Sequence, residues 1–188
     1  MAIFNTGISG TIPDLSNLQK LEVFKVENSD LTGSGFTSLY DIPSLKVLGV
    51  AGNSVAGSLI GIDRLVNLEE LYLSQTLISG PLQQLGNLTQ LKYIKASEAT
   101  LTGVIPASFG NLRNLIEIDL SKNRLTGTIP SELGNLKSVE LMDLTNNFFS
   151  GTVPDGLCID GAIIQVNCSV TCPLGCCTNY ECSENGDV

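Results

Sequence analysis

The sequence predicts an α/β solenoid, a right-handed superhelix of stacked repeats with a concave parallel β-sheet and a convex side of 3-10 helices or loops. Three observations predict it. A glycine that follows a short apolar-hydroxyl pair recurs every 23 or 24 residues, as at Gly80, Gly103 and Gly127. A leucine or isoleucine recurs at the same interval, which indicates repeated structural units. All six cysteines lie in the last 31 of 188 residues, which predicts a Cys-rich C-terminal cap.

Each repeat contains a segment in which apolar and polar residues alternate, as in Leu112–Leu120. Such alternation is typical of a strand with one buried face. One strand cannot bury that face alone, so successive coils must stack, and identical connections make the sheet parallel. After the strand, Gly127 provides a turn and Ile129-Pro130 begins a short 3-10 segment. We expect six complete repeats, and therefore six strands, after half a repeat at the start.

Two parts of the solenoid depart from this pattern. The repeat after Gly33 has no Ile-Pro pair in Ser34–Tyr40, so we expect an irregular convex side there. The chain also begins in the middle of a repeat, and its start has neither the basic nor the apolar region of a signal peptide. Because a solenoid end needs a cap over its core, we interpret the chain as a fragment of a longer secreted precursor or as one lacking its N-terminus.

The segments Leu120–Pro130 and Leu133–Leu136 resemble the consensus of plant-type leucine-rich repeat proteins. The resemblance covers residues 1 to about 157. It implies a ladder of buried asparagines that hydrogen-bond backbone groups at the turn after each strand. Three of the seven ladder positions are asparagine, namely Asn53, Asn123 and Asn147, and the others are Thr6, Ser29, Thr76 and Ala99. Alanine cannot form these bonds, so we expect a looser turn or a bridging water at Ala99.

The two predicted regions are a solenoid over residues 1–157 and a Cys-rich cap over residues 158–188. An even number of cysteines in a short segment favours disulfides and an oxidising, extracellular compartment. Cys158 could pair with Cys168, with Ile163, Ile164 and Val166 forming a final strand. A zinc site and free thiols are the alternatives, and the spacing of the last four cysteines is unusual for zinc. The complete set of candidate disulfide cysteines is Cys158, Cys168, Cys172, Cys176, Cys177 and Cys182.

Composition excludes several classes of function. The formal net charge is −9, which argues against binding to nucleic acid or to anionic lipid. No apolar run is long enough to cross a membrane. The absence of histidine removes the usual general base and the commonest metal ligand. Glu117 and Asp119 lie on one strand face, but catalytic carboxylates need a cleft with two environments, so we predict no enzyme, no cofactor and no metal.

A patch of exposed side chains on the concave sheet is the candidate partner-binding site. Tyr72 and Tyr93 are predicted to lie outward on adjacent strands, and exposed tyrosines are enriched at interfaces. Tyrosine is also a good strand former, so its exposure alone is compatible with a purely structural role. The predicted patch comprises Tyr72, Tyr93, Lys95, Lys25, Val23, Val47, Glu70 and Glu117.

The resemblance implies a non-catalytic extracellular recognition module, either a receptor ectodomain fragment or a secreted adhesion protein. Its ligand would be a protein, a peptide or a cell-wall glycan bound on the concave face. The alternative is a secreted inhibitor of a wall-degrading hydrolase, and a remote one is binding to ice or mineral through columns of Ser and Thr beside the repeated glycines. Sequons predict glycosylation at Asn87 and, less favourably, at Asn167 beside a cysteine.

Overall fold

A computed structural model of the chain describes residues 2–4, 7–158, 161–173 and 176–177, with only the backbone described for residues 2–4. It has two eight-stranded parallel sheets, and each coil contributes one strand to each sheet. The concave sheet contains β1 (Ala2–Phe4), β3 (Val23–Glu27), β5 (Val47–Gly49), β7 (Glu70–Tyr72), β9 (Tyr93–Lys95), β11 (Glu117–Asp119), β13 (Leu141–Asp143) and β15 (Ile163–Gln165). The predicted fold class is confirmed.

The concave sheet has two strands more than the six repeats predict. The half repeat at the start supplies β1, which pairs with β3. The segment after the last repeat supplies β15, which pairs with β13 and confirms the predicted final strand. Both partial coils therefore extend the sheet that the complete repeats build.

The second sheet was not predicted from the sequence. It contains β2 (Ser9–Thr11), β4 (Asp30–Gly33), β6 (Ser54–Ser58), β8 (Leu77–Gly80), β10 (Thr100–Gly103), β12 (Arg124–Thr128), β14 (Phe148–Thr152) and β16 (Val170–Thr171). These segments include the repeated glycines, for which the sequence predicts turns. Gly127 has φ +83°, in the region that favours glycine, and still lies within β12. Alternation of buried Leu125 with exposed neighbours is the strand signal that the glycine obscured.

In the described part of the chain, six 3-10 helices form the convex side. They are η1 (Gly35–Asp41), η2 (Ile62–Arg64), η3 (Gln83–Asn87), η4 (Ala107–Asn111), η5 (Ser131–Asn135) and η6 (Asp155–Leu157). The expectation of an irregular convex side after Gly33 was wrong, since η1 has seven residues. Phe36 and Tyr40 fill the core there, with ring centroids 5.4 Å apart and edge to face. The Tyr40 hydroxyl donates to the Ser58 carbonyl, which satisfies the buried phenol.

The core lies between the concave sheet, the second sheet and the 3-10 helices. The central residue of each three-residue concave strand from β5 to β15 is buried, as Leu48, Leu71, Ile94 and Ile118 show with no exposed surface. The flanking residues face outward, so the strands present one side-chain column on each side of the buried one. No helix within the described ranges is long and apolar enough to cross a membrane.

The asparagine ladder joins consecutive coils. The Asn123 Oδ1 accepts the Leu101 N–H at 3.0 Å, and its Nδ2 donates to the Ala96 carbonyl at 2.7 Å, both in the preceding coil. Nδ2 also donates to the Leu120 carbonyl in its own coil at 3.0 Å. Each ladder asparagine therefore closes the turn of the coil before it as well as its own.

This arrangement explains why the looser turn expected at Ala99 is not observed. The turn that contains Ala99 is closed from the next coil by Asn123. The turn that Ala99 fails to brace is the preceding one, at Thr76. There the Thr76 hydroxyl donates to the Leu73 carbonyl at 2.7 Å and lies 3.4 Å from the Ile78 N–H that it accepts. Thr76 thus closes its own turn, and the prediction of a looser turn at Ala99 was wrong because Asn123 closes that turn.

Disulfides close the C-terminal end. Cys158 pairs with Cys176, and Cys172 pairs with Cys177. The suggested pairing of Cys158 with Cys168 was wrong; Cys168 is disulfide-bonded, but not to Cys158. The predicted disulfide cysteine Cys182 lies outside the described residues. The Cys158–Cys176 bond joins the end of the last repeat to the segment after β16, so it holds the final coil against the solenoid.

Candidate functional site

The register of the concave sheet defines two outward columns of side chains. The central column runs through Lys25, Gly49, Tyr72, Lys95, Asp119, Asp143 and Gln165. The preceding column runs through Val23, Val47, Glu70, Tyr93, Glu117, Leu141 and Ile163. The eight residues predicted to bind a partner all lie in these columns on five consecutive strands. We call them the tyrosine patch.

Lys25 and Tyr72 meet across the strand that lies between them. The Lys25 Nζ lies 3.8 Å from the Tyr72 ring centroid, a cation–π contact, and 3.6 Å from the Glu27 Oε1. Gly49 occupies the intervening strand, and a Cβ built there would lie 2.9 Å from the Lys25 Cγ. The absence of a side chain at Gly49 therefore provides the space in which Lys25 reaches Tyr72. The sequence predicts that Lys25 and Tyr72 both belong to the site, but it predicts neither their contact nor the role of Gly49.

Tyr72 is also anchored along its own strand. Its hydroxyl donates to the Glu70 Oε2 at 2.8 Å. Partial burial raises the pKa of the Tyr72 phenol, and the hydrogen bond and negative charge of Glu70 raise it further. Tyr72 is therefore neutral at physiological pH and held in one orientation by Lys25 and Glu70. A rigid aromatic side chain loses little conformational entropy when a partner binds.

The other half of the patch is an ion pair beside the second tyrosine. The Lys95 Nζ lies 2.9 Å from the Glu117 Oε1 on the next strand. Tyr93 is half-buried and is in register with Glu70 on one side and Glu117 on the other. Val23 and Val47 are half-buried at the N-terminal end of the same column. The structure thus brings all eight residues onto one surface whose basic groups already face carboxylates.

Two aspartates continue the central column beyond the patch. The Asp119 Oδ1 accepts the N–H and hydroxyl of Ser121 at 3.0 and 2.7 Å. The Asp143 Oδ1 accepts the same two groups of Thr145 at 2.9 and 2.7 Å. The predicted site does not include these two residues. The bonds to Ser121 and Thr145 orient both carboxylates on the open face.

The geometry does not assemble a catalytic pair. Glu117 and Asp119 lie side by side on an open strand, and Glu117 is paired with Lys95. In the described part of the chain, no three metal-ligating side chains come together. What the concave face offers is a curved, mixed apolar and charged surface.

The hydroxyl columns considered for ice binding lie on the second sheet. Thr32, Ser79 and Thr126 donate hydroxyl hydrogens to the carbonyl of the repeated glycine in the preceding coil, at 3.3 to 3.4 Å. Exposed Val104 and Phe148 interrupt the surface. These hydroxyls therefore link coils, and the face is not a regular hydroxyl array.

The two sequons differ in their surroundings. Asn87 is exposed at the end of η3 on the convex side, away from the tyrosine patch. Asn167 is half-buried, and its Oδ1 accepts the Asn147 N–H at 3.2 Å, where it braces the last complete coil. We therefore propose Asn87 as the glycan acceptor and a structural role for Asn167.

The chain is similar to known proteins in both sequence and fold. Residues 89–149 match the family description "Leucine rich repeat". No curated protein sequence matches the chain significantly. Among solved structures, the plant peptide hormone receptor RGFR1 in complex with RGF2 superposes with a TM-score of 0.81 at 31% identity, over 91% of this chain and 28% of that one.

Two further structures show the range of the similarity. The Arabidopsis receptor kinase HAESA, in complex with the peptide hormone IDA and the co-receptor SERK1, has a TM-score of 0.77 at 31% identity, over 87% of this chain and 28% of that one. A plant ice-binding protein has a TM-score of 0.73 at 24% identity, over 88% and 57% of the two chains, and shares the fold alone.

The fold defines a repeat solenoid with an open concave face. With the repeat consensus, the two parallel sheets and these matches, the chain belongs to the leucine-rich repeat proteins, and its repeats are of the plant type. The chain spans about a quarter of the length of the two receptors, 28% of each.

Proposed function

We propose that this chain is a non-catalytic recognition module, secreted or displayed at the cell surface, that binds a protein or peptide on the tyrosine patch. Residues 1–157 form the recognition solenoid and residues 158–188 the Cys-rich cap. The observation that carries the proposal is the preorganised Tyr72, which Lys25 contacts at 3.8 Å and Glu70 at 2.8 Å. An aromatic anchor held in place on an otherwise open sheet is typical of a binding hot spot.

Three further features support this function. The concave strands are three to five residues long, so a ligand longer than a few residues would cross several coils. The disulfides of the cap are expected in an oxidising compartment. The similar receptor structures contain peptide hormones, which supports a peptide as the ligand class.

The test is selection of binders from a displayed library of random peptides of about ten residues, the length that spans the sheet. The selected peptides are measured against the chain and against the double variant Tyr72→Ala, Tyr93→Ala. We expect the double variant to weaken binding by about 2 kcal/mol or more, with an unchanged circular dichroism spectrum. Such an effect would place the hot spot on the patch.

The matched control is Phe148→Ala, which removes an aromatic ring that is 68% exposed on the second sheet. It should leave the affinity unchanged. Equal affinity of the Tyr72, Tyr93 double variant and the unmodified chain would refute the proposal, and so would loss of binding only in Phe148→Ala.

A further inference from the structure

The C-terminal end of the concave sheet carries two carboxylates beside two apolar side chains. Asp119 and Asp143 are in register on adjacent strands β11 and β13. Leu141 lies two residues before Asp143 on the same face. Ile163 on β15 is in register with Leu141, and 42% of the Ile163 surface is exposed. We call these four residues the acidic end.

The charges of the acidic end differ from those of the tyrosine patch. In the patch, Lys25 lies near Glu27 and Lys95 is paired with Glu117. Among the described residues, neither Asp119 nor Asp143 forms an ion pair with a basic side chain. Their Oδ1 atoms accept hydrogen bonds from neutral groups, and Lys95, the basic neighbour of Asp119 on the adjacent strand, is paired with Glu117. The open end of the sheet is therefore anionic and partly apolar.

We propose that the acidic end binds a lysine or arginine side chain of a peptide segment that crosses the concave sheet, an inference that rests on the proposed function. A long basic side chain has an aliphatic stem and a cationic head. The stem would lie along Leu141 and Ile163, and the head would lie between the Asp119 and Asp143 carboxylates. Charge-assisted hydrogen bonds to two carboxylates are stronger than neutral ones. An acidic peptide would be repelled by the same surface.

The register of the sheet sets the spacing within such a peptide. Tyr72 lies two strands from Asp119 and three from Asp143 in the same column. Strands are about 4.8 Å apart and an extended peptide advances about 3.3 Å per residue. The basic residue is therefore about three to four residues from the residue that packs on Tyr72. The ligand class is a peptide with an apolar or aromatic residue at that distance from a lysine or arginine.

The test uses the peptides selected from the random library against the unmodified chain. We expect enrichment of a basic residue three to four positions from an apolar one, the spacing derived above from the sheet. The double variant Asp119→Asn, Asp143→Asn keeps the Oδ1 acceptors and removes both charges. It should weaken binding about tenfold or more and flatten the dependence of affinity on salt.

The control variant Asp30→Asn, Glu132→Gln removes two exposed negative charges outside the concave sheet and should leave the affinity unchanged. Enrichment of acidic or uncharged peptides would overturn this inference. So would equal affinity of the Asp119, Asp143 double variant and the unmodified chain. If the Asp119, Asp143 double variant binds normally while the Tyr72, Tyr93 double variant does not, the proposed function stands and only the basic ligand is refuted. If neither site matters, both proposals are refuted.

Discussion

Replacing Asn123 by alanine tests how much the hydrogen bonds of the asparagine ladder stabilise neighbouring coils. The Asn123 side chain is buried, with 6% of the residue exposed. Its Oδ1 accepts the Leu101 N–H at 3.0 Å, and its Nδ2 donates to the carbonyls of Ala96, Leu120 and Ser121 at 2.7 to 3.0 Å. Alanine leaves these backbone groups without that partner.

The magnitude follows from the groups left unsatisfied. A buried donor without a partner costs about 1–3 kcal/mol, and the buried Leu101 N–H is one such donor. The Nδ2 group has two hydrogens, so at least two carbonyls also lose a bond, each worth about 1 kcal/mol. We expect Asn123→Ala to lower the free energy of unfolding by about 3–5 kcal/mol.

The assay is urea unfolding followed by circular dichroism, with hydrogen exchange of the Leu101 amide as a local measure. Asn135→Ala is the control, because Asn135 is exposed at the end of η5. A loss below about 1 kcal/mol, or one equal to that of the control, would refute the reasoning. Unchanged protection of the Leu101 amide would refute it too, because that amide bonds directly to Asn123.

Three other predictions concern glycosylation, the cap and acid stability. Secreted protein should carry a single glycan by intact mass, on the exposed asparagine of the first sequon, and Asn87→Gln should abolish it. Replacing Cys158 and Cys176 together by serine should cost about 3 kcal/mol in urea unfolding, from a loop of 18 residues; a midpoint unchanged by the double variant would contradict this. The hydrogen bond from Lys122 lowers the pKa of the Glu98 carboxyl. The stabilisation that this pair provides is therefore fully present at a pH above the usual carboxyl pKa, and it is lost as the pH falls through the lowered pKa. Lys122→Met should therefore make the urea midpoint less sensitive to acid, and identical pH profiles would show that the pair contributes nothing.

The repeat pattern by itself determined the solenoid and its core. Leu48, Ile94 and Ile118 each lie at the middle of one concave strand and are fully buried, as the alternation of apolar and polar residues predicts. The outward columns followed from the same alternation, because successive side chains of a strand lie on opposite faces. Periodicity of this kind is local information, and a repeated local rule is enough to build a fold in which each coil contacts its neighbours.

The second sheet and η1 show where local rules failed. Gly127 reads as a turn residue, yet pairing with the coils on either side makes its segment a strand. Ser34–Tyr40 has no Ile-Pro start, yet burial of Phe36 and Tyr40 against the core produces the 3-10 helix. In both cases contacts between coils outweighed the local preference of the residues involved.

The sequence determined which residues lie on the open concave face, and the tertiary structure alone decided how they are held. The sequence allows many cysteine pairings, and the disulfide that forms depends on which thiols the last coil brings together. In the structure, Cys158 pairs with Cys176. The contact of Lys25 with Tyr72 depends on the space above Gly49, which lies on a third strand. The physical reason is the same for both: side chains far apart in the chain meet only after stacking sets their positions, and no repeat pattern encodes those distances.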